Sequence, residues 1–255
     1  MKILSIIVPV YNEAQTLQSL IGAVENIPLP QFEKEIILVD AGSTDSSQTI
    51  IMSYKDRPGF KICALQFRGG KGRAVREGLR LASGDIFLIQ DGDLEYSPED
   101  YPVLLQHFLN EQVDFVIGSR TLSAGTWRLR SSRRPLLSML TLDFGGLLLT
   151  TLFCWLYGVK ISDPLSMFKI FKRNQLDIFA LKSEGFEIDW EILCRLVKKN
   201  FRFIEVPVRY SPRTKKEGKK LTAWKEGLKS VRIILAENSL SEVPAPYTIR
   251  TSVSE

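Results

Sequence analysis

The chain has 255 residues, 44% hydrophobic and 25% charged, which fits a folded α/β domain with a sizeable core and excludes a disordered or fibrous class. A formal net charge of +5 points to an anionic partner such as a nucleotide, a phospholipid or a nucleic acid. Cys63, Cys154 and Cys194 have no metal-ligand spacing and read as buried, reduced thiols of a cytosolic protein, while a lone histidine, His107 in a helical stretch, argues against Ser-His-Asp or His-metal chemistry.

The first apolar run, Ile3–Val10, is too short for a signal peptide and continues directly into a folded pattern. Leu4–Val10, Glu35–Asp40, Phe60–Phe67, Asp85–Gln90 and Asp114–Gly118 are predicted strands, most of them apolar on both faces. Helical patterns over Ala14–Asn26, Thr44–Tyr54, Gly72–Ala82 and Pro98–Leu109 separate them, so a mostly parallel sheet with helices on both faces is expected. Ser97-Pro98 supplies an N-cap and a proline at the first helical position. A basic loop, Ser119–Arg134, then leads into the apolar segment Pro135–Val159, where Asp143 and Gly145-Gly146 argue against a membrane-spanning helix.

Beyond it the pattern predicts a strand at Met167–Phe171, helices near Asn174–Ala180 and over Ile188–Lys199, a strand at Phe203–Tyr210 and a last helix from about Leu221 to Ala236. This gives one domain over 1–236, with halves 1–118 and 119–236, and a polar tail, 237–255, expected to be disordered.

In a parallel α/β sheet, ligands bind beyond the carboxyl ends of the strands. That rule selects Val10-Tyr11-Asn12-Glu13 after the first strand, Asp40 at the end of the second, and Asp91-Gly92-Asp93 at the end of the fourth. Two carboxylates one residue apart can hold Mg²⁺ or Mn²⁺, which prefer carboxylate, water and phosphate oxygens, and Glu95 could supply a third oxygen. The alternative is a solvated acidic turn. Gly69-Gly70-Lys71-Gly72-Arg73 opens a helix and suits an anion, or serves as a structural turn.

Taken in order, Ile6-Ile7-Val8-Pro9-Val10-Tyr11-Asn12-Glu13, Val39-Asp40-Ala41-Gly42-Ser43-Thr44-Asp45, Gly70-Lys71-Gly72, Gln90-Asp91-Gly92-Asp93, Gly118-Ser119-Arg120, Ser162-Asp163-Pro164, Gly185-Phe186-Glu187-Ile188-Asp189 and Arg213 with Lys219-Lys220 closely resemble the family 2 glycosyltransferases. Within them the chain is most similar to the dolichyl- and polyprenyl-phosphate sugar transferases. The resemblance implies the GT-A nucleotide-diphospho-sugar fold and inverting transfer from a GDP- or UDP-sugar. By matching position, Pro9, Tyr11, Glu13 and Asp40 would surround base and ribose, with Lys71, Gly72 and Gly92 also on the donor side. Asp91 and Asp93 would bind the metal, with Glu95 where relatives often have glutamine. Arg120, Arg213 and one of Lys219 or Lys220 would hold phosphates. The halves become a nucleotide-sugar-binding half and an acceptor-side half. Many relatives carry two aspartates where this chain has Asp40-Ala41, so guanine and uracil both stay open.

Four arginines, among them Arg130, Arg133 and Arg134, precede the apolar segment. Basic residues beside a leucine- and aromatic-rich helix over 135–158 suit an anionic membrane surface, with a buried helix and dimer face as the competing reading. A polyprenyl phosphate is already anionic near neutral pH and attacks without a base, held by the arginines. A hydroxyl acceptor would need one, for which Glu187 and Asp189 are the candidates. Nucleic acid is disfavoured, because the basic residues are not interleaved with stacking aromatics. The expected setting is peripheral on the cytoplasmic membrane face, alone, as a homo-oligomer or with an anchoring partner subunit. A degenerate, non-catalytic subunit is the remaining alternative.

Overall fold

The computed structural model describes residues 1–109, 113–124, 136–199, 201–213 and 223–239. Strands β1 (Lys2–Val10), β2 (Phe32–Asp40), β3 (Phe60–Ala64) and β4 (Ile86–Ile89) alternate with helices α1 (Leu17–Asn26), α2 (Ser47–Met52) and α3 (Lys71–Leu81). A short α4 (Tyr101–Leu105) leads to β5 (Phe115–Ser119), α5 (Arg120–Ala124) and the long α6 (Leu136–Tyr157). Then come β6 (Lys169–Lys172), α7 (Ile188–Lys198), β7 (Phe203–Pro207) and α8 (Ala223–Ser239).

The seven described strands form one sheet in the order β3-β2-β1-β4-β6-β5-β7. β1, β2, β3 and β4 run parallel, as do β5 and β7, while β6 is antiparallel to both its neighbours. Continuous apolar runs such as Leu4–Val10 are buried on both faces, as a sheet covered by helices on both sides requires. From β1 the chain builds outward through β2 and β3, then returns to place β4 on the other side. The carboxyl ends of β1 and β4 therefore flank a topological switch point, where such sheets open a crevice. Pro9, which has no N–H to donate, lies beyond the β1–β4 ladder, whose last pair is Ile7 and Ile89.

Several predicted elements change shape. The Pro98–Leu109 helix is split into a 3-10 turn, α4 and a second 3-10 turn, with Pro102 at the start of α4. The stretch near Asn174–Ala180 forms two 3-10 turns instead of an α-helix. β3 ends at Ala64 and β7 at Pro207, with Tyr210 making only an isolated bridge to Tyr96. The last helix runs to Ser239, past the expected start of the tail, whose remainder lies outside the described residues. Cys194 is buried, whereas Cys63 and Cys154 are only half-buried; all three are free thiols.

α6 is anchored through Phe153, which packs on Trp190 of α7, and through Tyr157, whose hydroxyl donates to the Ile234 carbonyl of α8 at 3.0 Å. Its opposite side carries Phe144, Leu147, Leu148, Thr151 and Trp155 at helical spacing, with Phe144 56% and Trp155 77% exposed. None of the described helices is long and apolar enough to cross a membrane.

Glu35 of β2 ties the amino ends of the strands together. It accepts from the hydroxyl of Ser5 on β1, and from the amide (2.9 Å) and hydroxyl of Ser83 before β4, and it pairs with Lys61 of β3. Burial alone would raise its carboxyl, but bonds from Lys61, Ser5 and Ser83 outweigh it and hold the group down at about 2. A carboxyl depressed in the fold stabilises above its ordinary value of 4.5, and that contribution is lost as pH falls toward about 2. Glu35→Gln is expected to lower unfolding free energy by about 1–3 kcal/mol at pH 7. In urea titrations the gap to the parent should close between about pH 4.5 and 2; a gap that stays constant down that range would refute this account.

Candidate active site

The turns leaving β1, β2 and β4 are joined by side chains. Asn12 sits at φ 53° and accepts from the Thr44 amide at 2.7 Å, while its own amide donates to the Ser43 hydroxyl at 3.0 Å. The Glu13 amide donates to the Ser47 hydroxyl at 2.8 Å, and the Ala14 amide to Asp45 at 3.2 Å. Asp40 is 1% exposed and accepts from the Ser43 amide at 3.0 Å. Tyr11 lies beneath the Arg68 guanidinium at 4.8 Å, a partner that nothing in the sequence signalled. On the β4 side, the carbonyl of buried Gly92 accepts from the Thr16 hydroxyl at 2.8 Å, so the two turns facing the crevice are in contact. Leu94 follows Asp93 at φ 57°, a left-handed conformation that strains a leucine by about 1–2 kcal/mol.

Two cations meet the carboxylates across the crevice. Lys71 Nζ stands 2.9 Å from Asp91 and 3.3 Å from Asp189, with the Phe186 ring 5.4 Å away. Arg213 reaches Glu13 at 2.7 Å and Asp93 at 3.0 Å. Burial alone would lower the Lys71 ammonium, but Asp189 and Asp91 outweigh it and keep it protonated. Burial also pushes Asp91 up, and pushes Asp93 up to about 7, with Asp91 and Glu95 adding repulsion that Arg213 only partly offsets. Negative charge is thus concentrated where two carboxylates end a strand. An oxygen donor set under mutual repulsion fits a hard divalent cation, which would relieve it. The fit covers Asp91 and Asp93. Glu95 is near enough to repel the pair, but its carboxylate accepts from the Tyr210 hydroxyl and the Arg213 amide, each at 2.7 Å. Among the described residues no group of three or more His, Cys, Asp or Glu side chains converges on one point, so the expected third oxygen from Glu95 is not brought to the pair.

The chain as a whole has known relatives. The model of the glycosyl transferase family 2 matches residues 5–163. The chain belongs to glycosyltransferase family 2. It is 30% identical over 215 residues to a dolichol-phosphate mannosyltransferase of Pyrococcus furiosus, an alignment covering 84% of this chain and 58% of that protein. It is 27% identical over 216 residues to a polyprenol monophosphomannose synthase of Mycolicibacterium smegmatis, covering 82% of this chain and 77% of the relative. The chain therefore spans less than two thirds of the Pyrococcus protein. Among solved structures, glucosyl-3-phosphoglycerate synthase from Mycobacterium tuberculosis in complex with Mn²⁺, UDP and phosphoglyceric acid superimposes with a TM-score of 0.61 at 20% identity. That match covers 94% of this chain and 80% of the other, and the fold is GT-A.

The other residues singled out in this family 2 chain fall into three groups. Arg120, at the start of α5, is gripped by Asp163 through Nε and Nη2 at 2.7 Å each and through its amide at 2.9 Å, over the Tyr210 ring at 5.0 Å. That grip leaves the Nη1 edge of the guanidinium clear of Asp163. Glu187 turns back to the Gly185 amide at 3.0 Å and toward Lys229 of α8 at 3.8 Å, whereas Asp189 joins the Lys71 cluster. Arg130, Arg133, Arg134, Lys219 and Lys220 lie outside the described residues.

Gly72 meets backbone on its Cβ side. It is buried against the turn before α7, where an added Cβ would sit 2.5 Å from the Ser183 carbonyl oxygen and 2.8 Å from Glu184. The neighbouring Arg73 amide already donates to the Glu184 carbonyl at 3.2 Å. The glycine lets α3 touch that turn and so sets where Lys71 stands. Gly72→Ala is expected to lower unfolding free energy by about 1–3 kcal/mol in chemical denaturation, because backbone must move. An unchanged midpoint would show that the contact yields freely.

Proposed function

We propose that this chain is an inverting hexosyltransferase that uses a GDP- or UDP-sugar and a polyprenyl phosphate, with residues 1–118 serving the donor and 119–236 the acceptor side. The observation that carries this reading is the pair of carboxylates at the end of β4, Asp91 and Asp93, set in a crevice where Lys71 and Arg213 stand ready for phosphates. The names of the relatives, a dolichol-phosphate mannosyltransferase and a polyprenol monophosphomannose synthase, support a hexose as the transferred group and a polyprenyl phosphate as the acceptor.

In this reading Asp91 and Asp93 would hold Mg²⁺ or Mn²⁺. The ion's contribution would be to neutralise charge developing on the departing nucleoside diphosphate. Tyr11 and Arg68 form a flat, cationic platform beside Asp40, suited to a base and its ribose. Lys71 and Arg213 hold the diphosphate, and Arg120 presents its remaining N–H groups to a phosphate oxygen. Held in line with the anomeric carbon, a phosphate acceptor displaces the nucleoside diphosphate directly and inverts the centre.

The acceptor would sit in a bilayer, and membrane contact would fall to α6 with its exposed Phe144, Leu147, Leu148 and Trp155. Lys225, Lys229 and Arg232, exposed on the adjoining α8, suit anionic headgroups.

One observation favours a hydroxyl acceptor as a second reading. Asp189 Oδ1 is buried without a hydrogen-bond partner among the described residues, as a base awaiting a hydroxyl would be. Under that reading Asp189→Asn abolishes transfer to a hydroxyl, while transfer to a phosphate falls only by the weakened hold of Lys71 on the donor.

The decisive assay is nucleotide release from a panel of GDP- and UDP-sugars with Mg²⁺ or Mn²⁺, with and without a short-chain polyprenyl phosphate. Release should require both metal and lipid phosphate and should fall by about 10²–10³-fold in Asp91→Asn and in Asp93→Asn; normal release by both variants would exclude the assignment. For the membrane contact, Leu148→Ser combined with Trp155→Ser should weaken co-sedimentation with phosphatidylglycerol vesicles at least about tenfold. Undiminished sedimentation would move the contact elsewhere.

A further inference from the structure

Lys169, the first residue of β6, is 1% exposed and takes no direct part in the site described above. Its ammonium donates to the Pro164 carbonyl at 3.2 Å and to the Ser166 carbonyl, so it is held by backbone oxygens instead of a carboxylate. An ammonium taken out of water in this way is strongly disfavoured unless nearby charges compensate. Both carbonyls belong to the turn Asp163–Ser166. Asp163 of that turn grips Arg120, and Glu205 of β7 fixes its entry through the Ser162 amide at 2.8 Å, the Ser162 hydroxyl at 2.9 Å and the Asp163 amide at 3.1 Å. The Tyr96 hydroxyl adds a contact at 3.2 Å with the Met167 amide.

We propose that Lys169 is a positioning residue, whose buried ammonium fixes the turn that aims Arg120 and balances Asp163 and Asp189 from behind, leaving Lys71 and Arg120 with positive potential for the donor's diphosphate. This inference rests on the transferase reading.

Four charged groups act on Lys169. Asp163 of the turn and Asp189 of α7 stabilise the ammonium, while Lys71 of α3 and Arg120 of α5 oppose it. Burial dominates and brings Lys169 down to about 8. Two neutral neighbours, the thiol of Cys194 on α7 and the hydroxyl of Tyr96, are pushed by burial up to about 12 and hold their protons throughout this range. As the pH rises through about 8, the amine keeps hydrogen bonds to its carbonyls but loses its charge, and the potential at the diphosphate falls.

The test is calorimetric titration of UDP and GDP with Mg²⁺, without acceptor, from pH 6.5 to 9.5. In the parent, affinity should weaken about fivefold with a midpoint near pH 8, as one charge of this kind is worth about 1 kcal/mol across the site. Lys169→Met should bind weakly at pH 7 already, with no further loss, and Lys169→Arg should keep the parent's affinity without the alkaline fall. Ionisation of the nucleotide and of Asp93 is common to all three proteins and cancels in the comparison between them. A parent curve without a step between pH 7 and 9.5 overturns the proposal, as does a Lys169→Met curve superimposable on the parent's. Should Lys169→Met lack the parent's circular dichroism, the parent curve alone decides. Absence of nucleotide binding at every pH would bring down the transferase reading and this inference together, whereas binding without the step removes only Lys169.

Discussion

Arg213 joins positions that are 200 residues apart, bridging Glu13 after the first strand and Asp93 after the fourth. Lys71 does the same between Asp91 and Asp189. These contacts gather four carboxylates and two cations into two ion-paired groups at one edge of the sheet. Buried ion pairs add little net stability, because desolvation opposes their attraction. What they supply is a fixed place for charge. Phosphate oxygens entering such a crevice meet cations already desolvated and oriented, which is the condition for strong electrostatic stabilisation.

Much of this arrangement was legible from residue patterns. The apolar runs ending in Val10, Asp40 and Gln90 located three strand ends, and parallel pairing of β1 with β2 and β4 brings those ends to one edge. What stayed hidden depends on β6. No local pattern reveals that Lys169–Lys172 inserts antiparallel between β4 and β5, so neither the grip of Asp163 on Arg120 nor the burial of Lys169 could be read from spacing. Glu95 shows the opposite limit. Its spacing from Asp93 suggests a shared ligand set, yet the left-handed Leu94 intervenes and Tyr210 and Arg213 claim its carboxylate. Gly72 offered a phosphate-loop signal, but a close backbone approach explains the same glycine.

Fold and acceptor are separable questions. The superimposed mycobacterial synthase was solved with phosphoglyceric acid, a small soluble molecule, on the same GT-A scaffold. A shared scaffold therefore leaves the acceptor of this chain open. Asp189 is placed as a counter-ion for Lys71, and that contact belongs to the fold whichever acceptor is used.

The antiparallel β6 also bears on how such a protein can be divided. The strand comes from the second half of the chain but lies inside the sheet, with its ladders shared between β4 and β5. A cut after β5 would therefore strip β4 of a neighbour and leave an open edge in the middle of the sheet. The two halves are interleaved, so the second cannot be exchanged between relatives as a terminal cassette. Any exchange must carry β6 with it and rebuild two ladders at once, and such a fold is more readily varied by substitution within the loops than by recombination of modules.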